Sequence, residues 1–296
     1  MMEDKISVIV ATYNQEDTIA RTLDSILMQR CHLPIEIVVG EDCSTDSTRT
    51  VCESYAQRCP HIVRLMPKAP NKGMIRNYYD CLMVCRGKYI ADCAGDDFWT
   101  DPEKLEKELR IMEEHPTVTL VHTNWRFYNE DTHNTKDNTY VPFPALITKG
   151  TDILEAVITQ TTAPVVHTCT ALYRADVIKR CYDEDPELFR NPDNGCEDLQ
   201  LVCMLAANGD VAYLPDHTLN YSVGRPSVSF QPDDRKLMHA FRSHDKVLRD
   251  EACALMKTWG VKPDIKTRAA RTIMSGSPLW NILLATRKLF VALKRI

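Results

Sequence analysis

The sequence predicts an α/β protein built on an open, mostly parallel sheet with helices on both faces. Three observations carry this. Short apolar, β-branched runs alternate with segments of helical apolar spacing through the first 120 residues. The runs read as strands buried on both faces, as parallel strands are. The segments after the first, second and fourth runs are polar and acidic, and such sheets bind ligands beyond the carboxyl ends of their strands.

Taken in order, Ile6-Ser7-Val8-Ile9-Val10-Ala11 is the first strand, followed by polar Thr12 to Asp17. Ile19, Leu23, Ile26 and Leu27 then repeat at helical spacing. Ile35 to Gly40 is the second strand, and it stops at Glu41-Asp42-Cys43-Ser44-Thr45-Asp46, rich in helix-capping residues. A helix through Val51 and Tyr55, a third strand over Ile62 to Met66 and a helix over Met74 to Cys85 follow. Lys88 to Cys93 is the fourth strand, closed by Ala94-Gly95-Asp96-Asp97. Pro102 opens a helix whose inner face is Leu105, Leu109 and Met112.

The middle is less regular. Val118 to Val121 and Cys169 to Tyr173 read as strands, and Thr151 to Ile158 and Glu197 to Ala207 as helices. Asn129 to Thr139 is polar without an apolar period, which predicts a surface loop or hairpin tip. From Asp233 onward the pattern is helical.

The chain has 296 residues, enough for one large α/β domain or two lobes sharing a cleft. Its 36 basic and 41 acidic residues give a net charge of −5, against nucleic acid as the main partner. Charge is uneven, however. From Val261 onward eight basic residues face one acid, so the tail carries +7 and the rest −12. The twelve cysteines contain no CxxC and suit buried thiols in a reducing compartment, with Cys81 and Cys85 expected in the core. Neither a signal peptide nor a long apolar run is evident, so a cytoplasmic protein is expected.

Three acidic groups are candidates for chemistry. Asp96-Asp97 repel each other unless a cation or donor offsets them, and hard oxygen ligands suit magnesium or manganese. A solvated, helix-capping turn is the plainer reading. Glu41-Asp42 with Asp46 could equally cap a helix, and Glu197-Asp198 could serve the dipole of a helix start. The last pair could also supply a general base from the second half of the chain.

The order of these segments resembles the inverting family 2 glycosyltransferases of GT-A fold. The resemblance rests on Ser7 to Asn14 with Glu16, Ile37 to Asp46, Asn71-Lys-Gly-Met-Ile-Arg-Asn77, Gly87 to Ile90, Gly95-Asp-Asp-Phe-Trp-Thr-Asp-Pro102 and Glu197-Asp198. It covers roughly the first 225 residues and is densest before residue 115.

The resemblance implies a GT-A type catalytic domain over residues 1–230. Residues 1–120 would form its Rossmann-like, nucleotide-sugar-binding half and residues 121–230 a smaller acceptor half, before a C-terminal helical extension over 231–296. It implies that Ala11, Tyr13 and Glu16 meet the nucleotide base, that Asp42 hydrogen-bonds uracil, and that Arg76 and Lys72 help hold the nucleotide. Asp96 would face the ribose, Asp97 would bind a divalent metal (Mn2+ or Mg2+), and Asp198 would be the catalytic base. The implied donor is a UDP-sugar, and the acceptor a glycan or lipid-linked saccharide of cell-surface polysaccharide synthesis. Two departures stand out. Glu41 replaces an Asp, and Cys43 replaces a Gly, which implies a turn without positive φ.

Other roles stay open on the sequence. Trp99 and Tyr221 could stack on sugars or be core aromatics. Arg225 could reach the diphosphate. His122, His167 and His217 could be ligands, though satisfied polar residues are the plainer reading. A non-catalytic nucleotide-sugar or glycan binder on the same fold is a competing reading, which retention of Asp97 and Asp198 disfavours. A sugar nucleotidyltransferase is another, but the loop Ala11-Thr-Tyr-Asn14 lacks the glycines expected there. Residues 278–296 place apolar side chains on one helical face and Arg287, Lys288, Lys294 and Arg295 on the other. That pattern fits a helix peripheral to an anionic membrane at the inner face of the plasma membrane, or a helix packed on the domain.

Overall fold

Alternating strands and helices in the N-terminal half fold as their spacing predicts. The computed structural model describes residues 2–139, 143, 145–159, 165–184 and 197–224. In chain order, β1 (Glu3–Thr12), β2 (Ile35–Glu41), β3 (Val63–Leu65) and β4 (Gly87–Asp92) are separated by α1 (Ile19–Leu27), α2 (Thr48–Arg58) and α3 (Met74–Val84). β1 pairs in parallel with both β2 and β4, and β2 with β3. After β5 (Phe98–Trp99) and α4 (Lys104–Glu114) come β6 (Val118–Asn129), β7 (Thr135–Asp137), β8 (Ile147–Thr148) and α5 (Gly150–Thr159). β9 (Ala171–Arg174), α6 (Ala175–Glu184), α7 (Asp198–Asn208) and β10 (Asp210–Val223) complete the described elements.

The sheet runs β3-β2-β1-β4-β9-β6-β10-β5, with β7 on β6 and β8 on β10. Long pairings are parallel. Antiparallel ones are short: β9 against β4 and β6, β5 and β8 against β10, and β7 against β6. Because β9 is antiparallel to both neighbours, β4, β6 and β10 point the same way. The carboxyl ends of β1, β2, β4 and β10 therefore share one edge.

Each face of the sheet buries its own core. On one side Tyr79, Leu82, Ile178, Leu201 and Leu205 come from α3, α6 and α7. On the other, Ile19, Leu23, Tyr55, Leu109 and Met112 come from α1, α2 and α4. Helix α1 shows why its sequence is helical: Ile19, Leu23 and Ile26 fall on one stripe, and all are buried. Gly40 is required by packing. A Cβ there would lie 2.4 Å from Cys81 Sγ, where α3 presses on β2. Cys81 and Cys85 are core residues as expected, and the cysteines among the described residues are free.

The sequence reading differs from the structure in the second half. β10 carries no clear strand signal in the sequence, because Pro215 interrupts its apolar pattern. The strand accommodates that proline with register irregularities between Tyr213 and Leu219. Asn129 to Thr139 is a hairpin tip carrying β7. Of the strand expected over Cys169 to Tyr173, Cys169 and Thr170 instead belong to a 3-10 turn, Thr168–Thr170, ahead of β9.

α4 contains a fully buried ion pair, Lys104 Nζ to Glu108 Oε2 at 2.7 Å. The ammonium sits 4.5 Å from the Trp99 ring centroid. Burial pushes the Glu108 carboxyl up to about 7, against the pull of Lys104. Lys104→Ala should therefore destabilise by about 3–5 kcal/mol, because it strands a buried carboxylate. Lys104→Met with Glu108→Leu should be close to neutral. Urea unfolding of the three proteins checks this, and equal losses in the single and double variants would contradict it.

Candidate active site

The shared edge is assembled from loops that bind one another. The loops after β1 and β2 are cross-linked through polar side chains. Asn14 N–H donates to Ser44 Oγ at 2.9 Å, and Thr45 N–H to Asn14 Oδ1 at 2.8 Å. Ser47 N–H donates to Glu16 Oε2 at 2.8 Å, and Glu16 N–H to Asp46 Oδ2 at 3.1 Å. Glu16 thus clamps one loop to the other while remaining exposed. Ala11 is half-buried beneath, and Tyr13 is exposed beside it.

Cys43 corrects the expectation drawn from its side chain. Its φ is +60°, the left-handed conformation a glycine would adopt freely. The turn is imposed from both sides: Asp42 N–H donates to Thr12 O at 3.0 Å, and Ser44 N–H to Glu41 Oε1 at 2.5 Å. Glu41 is buried and supports the turn from within.

Asp42 is 4% exposed. Its Oδ1 accepts from Lys72 N–H and its Oδ2 from Gly73 N–H, both at 2.9 Å. Asn71 Nδ2 donates to Asp42 O at 2.7 Å. Asp42 therefore pins the loop entering α3, and each carboxylate oxygen keeps a second lone pair. Lys72 Nζ turns along α3 to Asp80 at 2.8 Å. Arg76 is exposed on the first turns of α3.

Asp96 and Asp97 follow β4 at the centre of the edge. Ser222, near the end of β10, holds both: its N–H donates to Asp97 Oδ1 at 2.9 Å and its Oγ to Asp96 O at 2.6 Å. Arg21 adds a bond to Asp96 O at 3.2 Å while paired with Glu130 at 2.5 Å. Asp97 Oδ2 is buried and has no hydrogen-bond partner. Burial, then the Asp96 carboxylate, push Asp97 well above the usual carboxylate range, and Ser222 N–H pulls back. Burial also raises Asp96, with Glu130 adding to it and Arg21 opposing. Two adjacent acids, one with an orphaned buried oxygen, fit a hard divalent cation.

Asp198 opens α7, where a negative charge suits the helix dipole. Its Oδ1 accepts a hydrogen bond from Thr168 Oγ1. His167 packs against the rings of Trp125 at 5.3 Å and Tyr221 at 4.7 Å. Its Nδ1 is buried without a partner, and the nearby Asp198 charge opposes the burial that lowers its pKa. It is thus not the ordinary satisfied histidine the sequence suggested. Burial first, then Asp198, push the Glu197 carboxyl well above its ordinary range.

Behind this pair, Asp92 Oδ1 accepts from Tyr78 OH at 3.0 Å and Tyr173 OH at 3.2 Å. Burial raises the Asp92 pKa to about 7, the two tyrosines opposing. Its folded pKa lies above the unfolded one, so the folded state holds a proton that the unfolded state has lost. Stability should fall as pH rises from about 4 towards 7, by roughly 1.4 kcal/mol per unit from this group. Asp92→Asn should flatten that slope in urea titrations at pH 5 and pH 7. An unchanged slope would contradict it.

Other candidates resolve plainly. Trp99 is core, with Nε1 donating to Cys169 O at 2.9 Å. Tyr221 lies at the edge beside His167. Burial lowers the pKa of His122 to about 3, so it is a neutral core residue against Phe143 and Tyr213. His217 is half-buried, 3.9 Å from Asp137. Away from the edge, Cys31, His32 and Glu106 also cluster. There Glu106 already accepts from His32 N–H at 3.1 Å, His32 Nδ1 at 2.9 Å and Arg110 Nε at 3.0 Å, which is a clamp of the loop after α1 onto α4. Arg225, the extension over 231–296 and the basic segment 278–296 lie outside the described residues. Among the described residues no helix is long and apolar enough to cross a membrane.

Spacing alone could not expose Ser222, Thr168 or Arg21. Ser222 acts partly through its backbone N–H, and all three are distant in sequence from the acids they serve. A run of small polar residues at a strand end was the only available signal.

Known proteins share this architecture. Residues 7–182 match the family model described as Glycosyl transferase family 2. Uncharacterized protein Rv1520 of Mycobacterium tuberculosis is 32% identical over 211 residues, 71% of this chain and 56% of that protein. The chain thus spans little more than half the length of such curated relatives. Among solved structures, S. aureus TarS in complex with UDP-GlcNAc superposes with a TM-score of 0.58 at 18% identity, over 91% of this chain and 79% of that one. The mannosyltransferase PcManGT of Pyrobaculum calidifontis, in complex with GDP-Man and Mn2+, gives 0.53 at 18% identity, over 97% and 80%.

Proposed function

The chain belongs to glycosyltransferase family 2, and from that premise we propose that it is an inverting transferase moving a sugar from a UDP-sugar to a hydroxyl of a glycan or lipid-linked acceptor. The observation that carries the reading is a pair of acids that both act on Cys169: Asp97, buried with an orphaned oxygen, and Asp198, held by a hydroxyl. TarS and PcManGT are solved with UDP-GlcNAc and with GDP-Man and Mn2+, which supports a nucleotide-sugar and a metal here.

In this reading Tyr13 and Glu16 border the base, and Asp42 receives uracil while holding the 71–73 loop. Arg76 and Lys72 supply positive charge near the nucleotide, and Asp96 faces the ribose. Asp97 holds the divalent cation, which when bound offsets charge on the departing nucleoside diphosphate. Asp198 accepts the proton of the acceptor hydroxyl as that oxygen attacks the anomeric carbon from the face opposite the leaving group. One bond forms as one breaks, so the configuration inverts. The basic segment 278–296 would keep the enzyme at the cytoplasmic membrane face, near a lipid-borne acceptor; vesicle flotation with and without it tests that part.

A donor screen with Mn2+, reading nucleoside diphosphate release, tests the activity. UDP-sugars are expected to give release that EDTA abolishes. Silence across all donors and plausible acceptors would overturn the proposal.

A further inference from the structure

The 3-10 turn Thr168–Thr170 lies between β4, β6 and β10 at the functional edge. Its backbone is locked: Thr170 N–H donates to His167 O at 2.9 Å, and Thr170 Oγ1 donates to the same oxygen at 2.7 Å. Successive residues of the turn then lie beside different acids. Cys169 is tied to the β4 side, its Sγ accepting from Ala94 N–H at 3.4 Å and its carbonyl from Trp99 Nε1 at 2.9 Å, and burial, then the nearby Asp97 charge, push its thiol well above its ordinary range. Thr168, 5% exposed, gives its hydroxyl to Asp198 Oδ1.

The geometry points to the turn as the spacer between the two functional carboxylates, with Thr168 as the positioning residue for Asp198. This rests on the reading of Asp198 as the base. A carboxylate on a helix start can rotate about χ1 and χ2. A buried hydroxyl bonded to Oδ1 fixes that rotation and leaves Oδ2 for the acceptor proton. Asp198 enters from α7, whereas the turn is anchored beside the strand that precedes Asp97. Thr168 thus registers the acceptor-side half to the nucleotide-side half. Orientation errors of this kind cost catalysis heavily even when binding is intact.

Thr168→Val keeps the shape and removes the hydroxyl. It should lower kcat by about 10²-fold and leave the donor KM and the thermal melting point near wild type. Thr168→Ser should restore most of kcat. In an Asp198→Asn background, Thr168→Val should have no further effect, since there is no base left to orient. If Thr168→Val does not fold, Thr168→Ala takes its place in the same comparison. Wild-type kcat in the hydroxyl-free variant, beside an inactive Asp198→Asn, would overturn this inference alone. A Ser variant as slow as Val would overturn it too. Wild-type turnover by Asp198→Asn would overturn the base reading itself.

Discussion

Asp198→Asn is expected to abolish transfer, lowering kcat by about 10²–10⁴-fold while donor affinity stays within a factor of about two. The asymmetry follows from placement. Asp198 opens α7, proposed for the acceptor side, and is bound by Thr168, whereas the loops proposed for the nucleotide are built from β1, β2 and β4. Asparagine preserves the size and can still accept from Thr168 Oγ1, but it cannot take a proton at neutral pH. Single-turnover kinetics alongside donor-binding calorimetry separate the two effects. Loss of donor binding together with turnover would move Asp198 to the nucleotide side of the site.

Asp97→Asn is expected to act on metal and donor binding. Its Oδ2 is buried and unpartnered next to Asp96, and burial pushes its pKa well above the usual carboxylate range, so the metal-free protein holds this carboxyl at a cost. Replacing it with an amide should raise the melting temperature of the metal-free protein at neutral pH, because a buried carboxyl of raised pKa costs folding energy once the unfolded chain has ionised. The same change should erase stabilisation by Mn2+, which for wild type is about 2.7 kcal/mol at one hundred times the dissociation constant. Donor binding should lose its dependence on the metal, and turnover should fall with it. Differential scanning fluorimetry with EDTA and with Mn2+ reads both predictions. An equal Mn2+ shift in variant and wild type would remove Asp97 from the metal site.

Much of the N-terminal half is legible in the sequence. The β-branched runs ending at Ala11, Gly40 and Cys93 marked β1, β2 and β4, and the acids beyond them marked the edge. Parallel strands buried on both faces leave few readings for such runs. The second half resisted for identifiable reasons. Pro215 disguised β10, because a proline normally excludes a central strand unless a register break absorbs it. Cys43 carries a positive φ that its side chain argued against, since neighbouring hydrogen bonds impose the turn. Ser222 and Thr168 hold the acids through contacts set by tertiary structure, and no local spacing encodes those. The grip of Asp42 on the 71–73 loop is likewise a tertiary contact that no local spacing encodes.

The central claim is a single displacement at the edge that joins Asp97 to Asp198. The anomeric configuration of the first product tests it most directly. A donor carrying an α-linked sugar, consumed with Mn2+ and an acceptor and followed by proton NMR, should yield a β-linked product. An α-linked product would contradict inversion and, with it, the role given to Asp198.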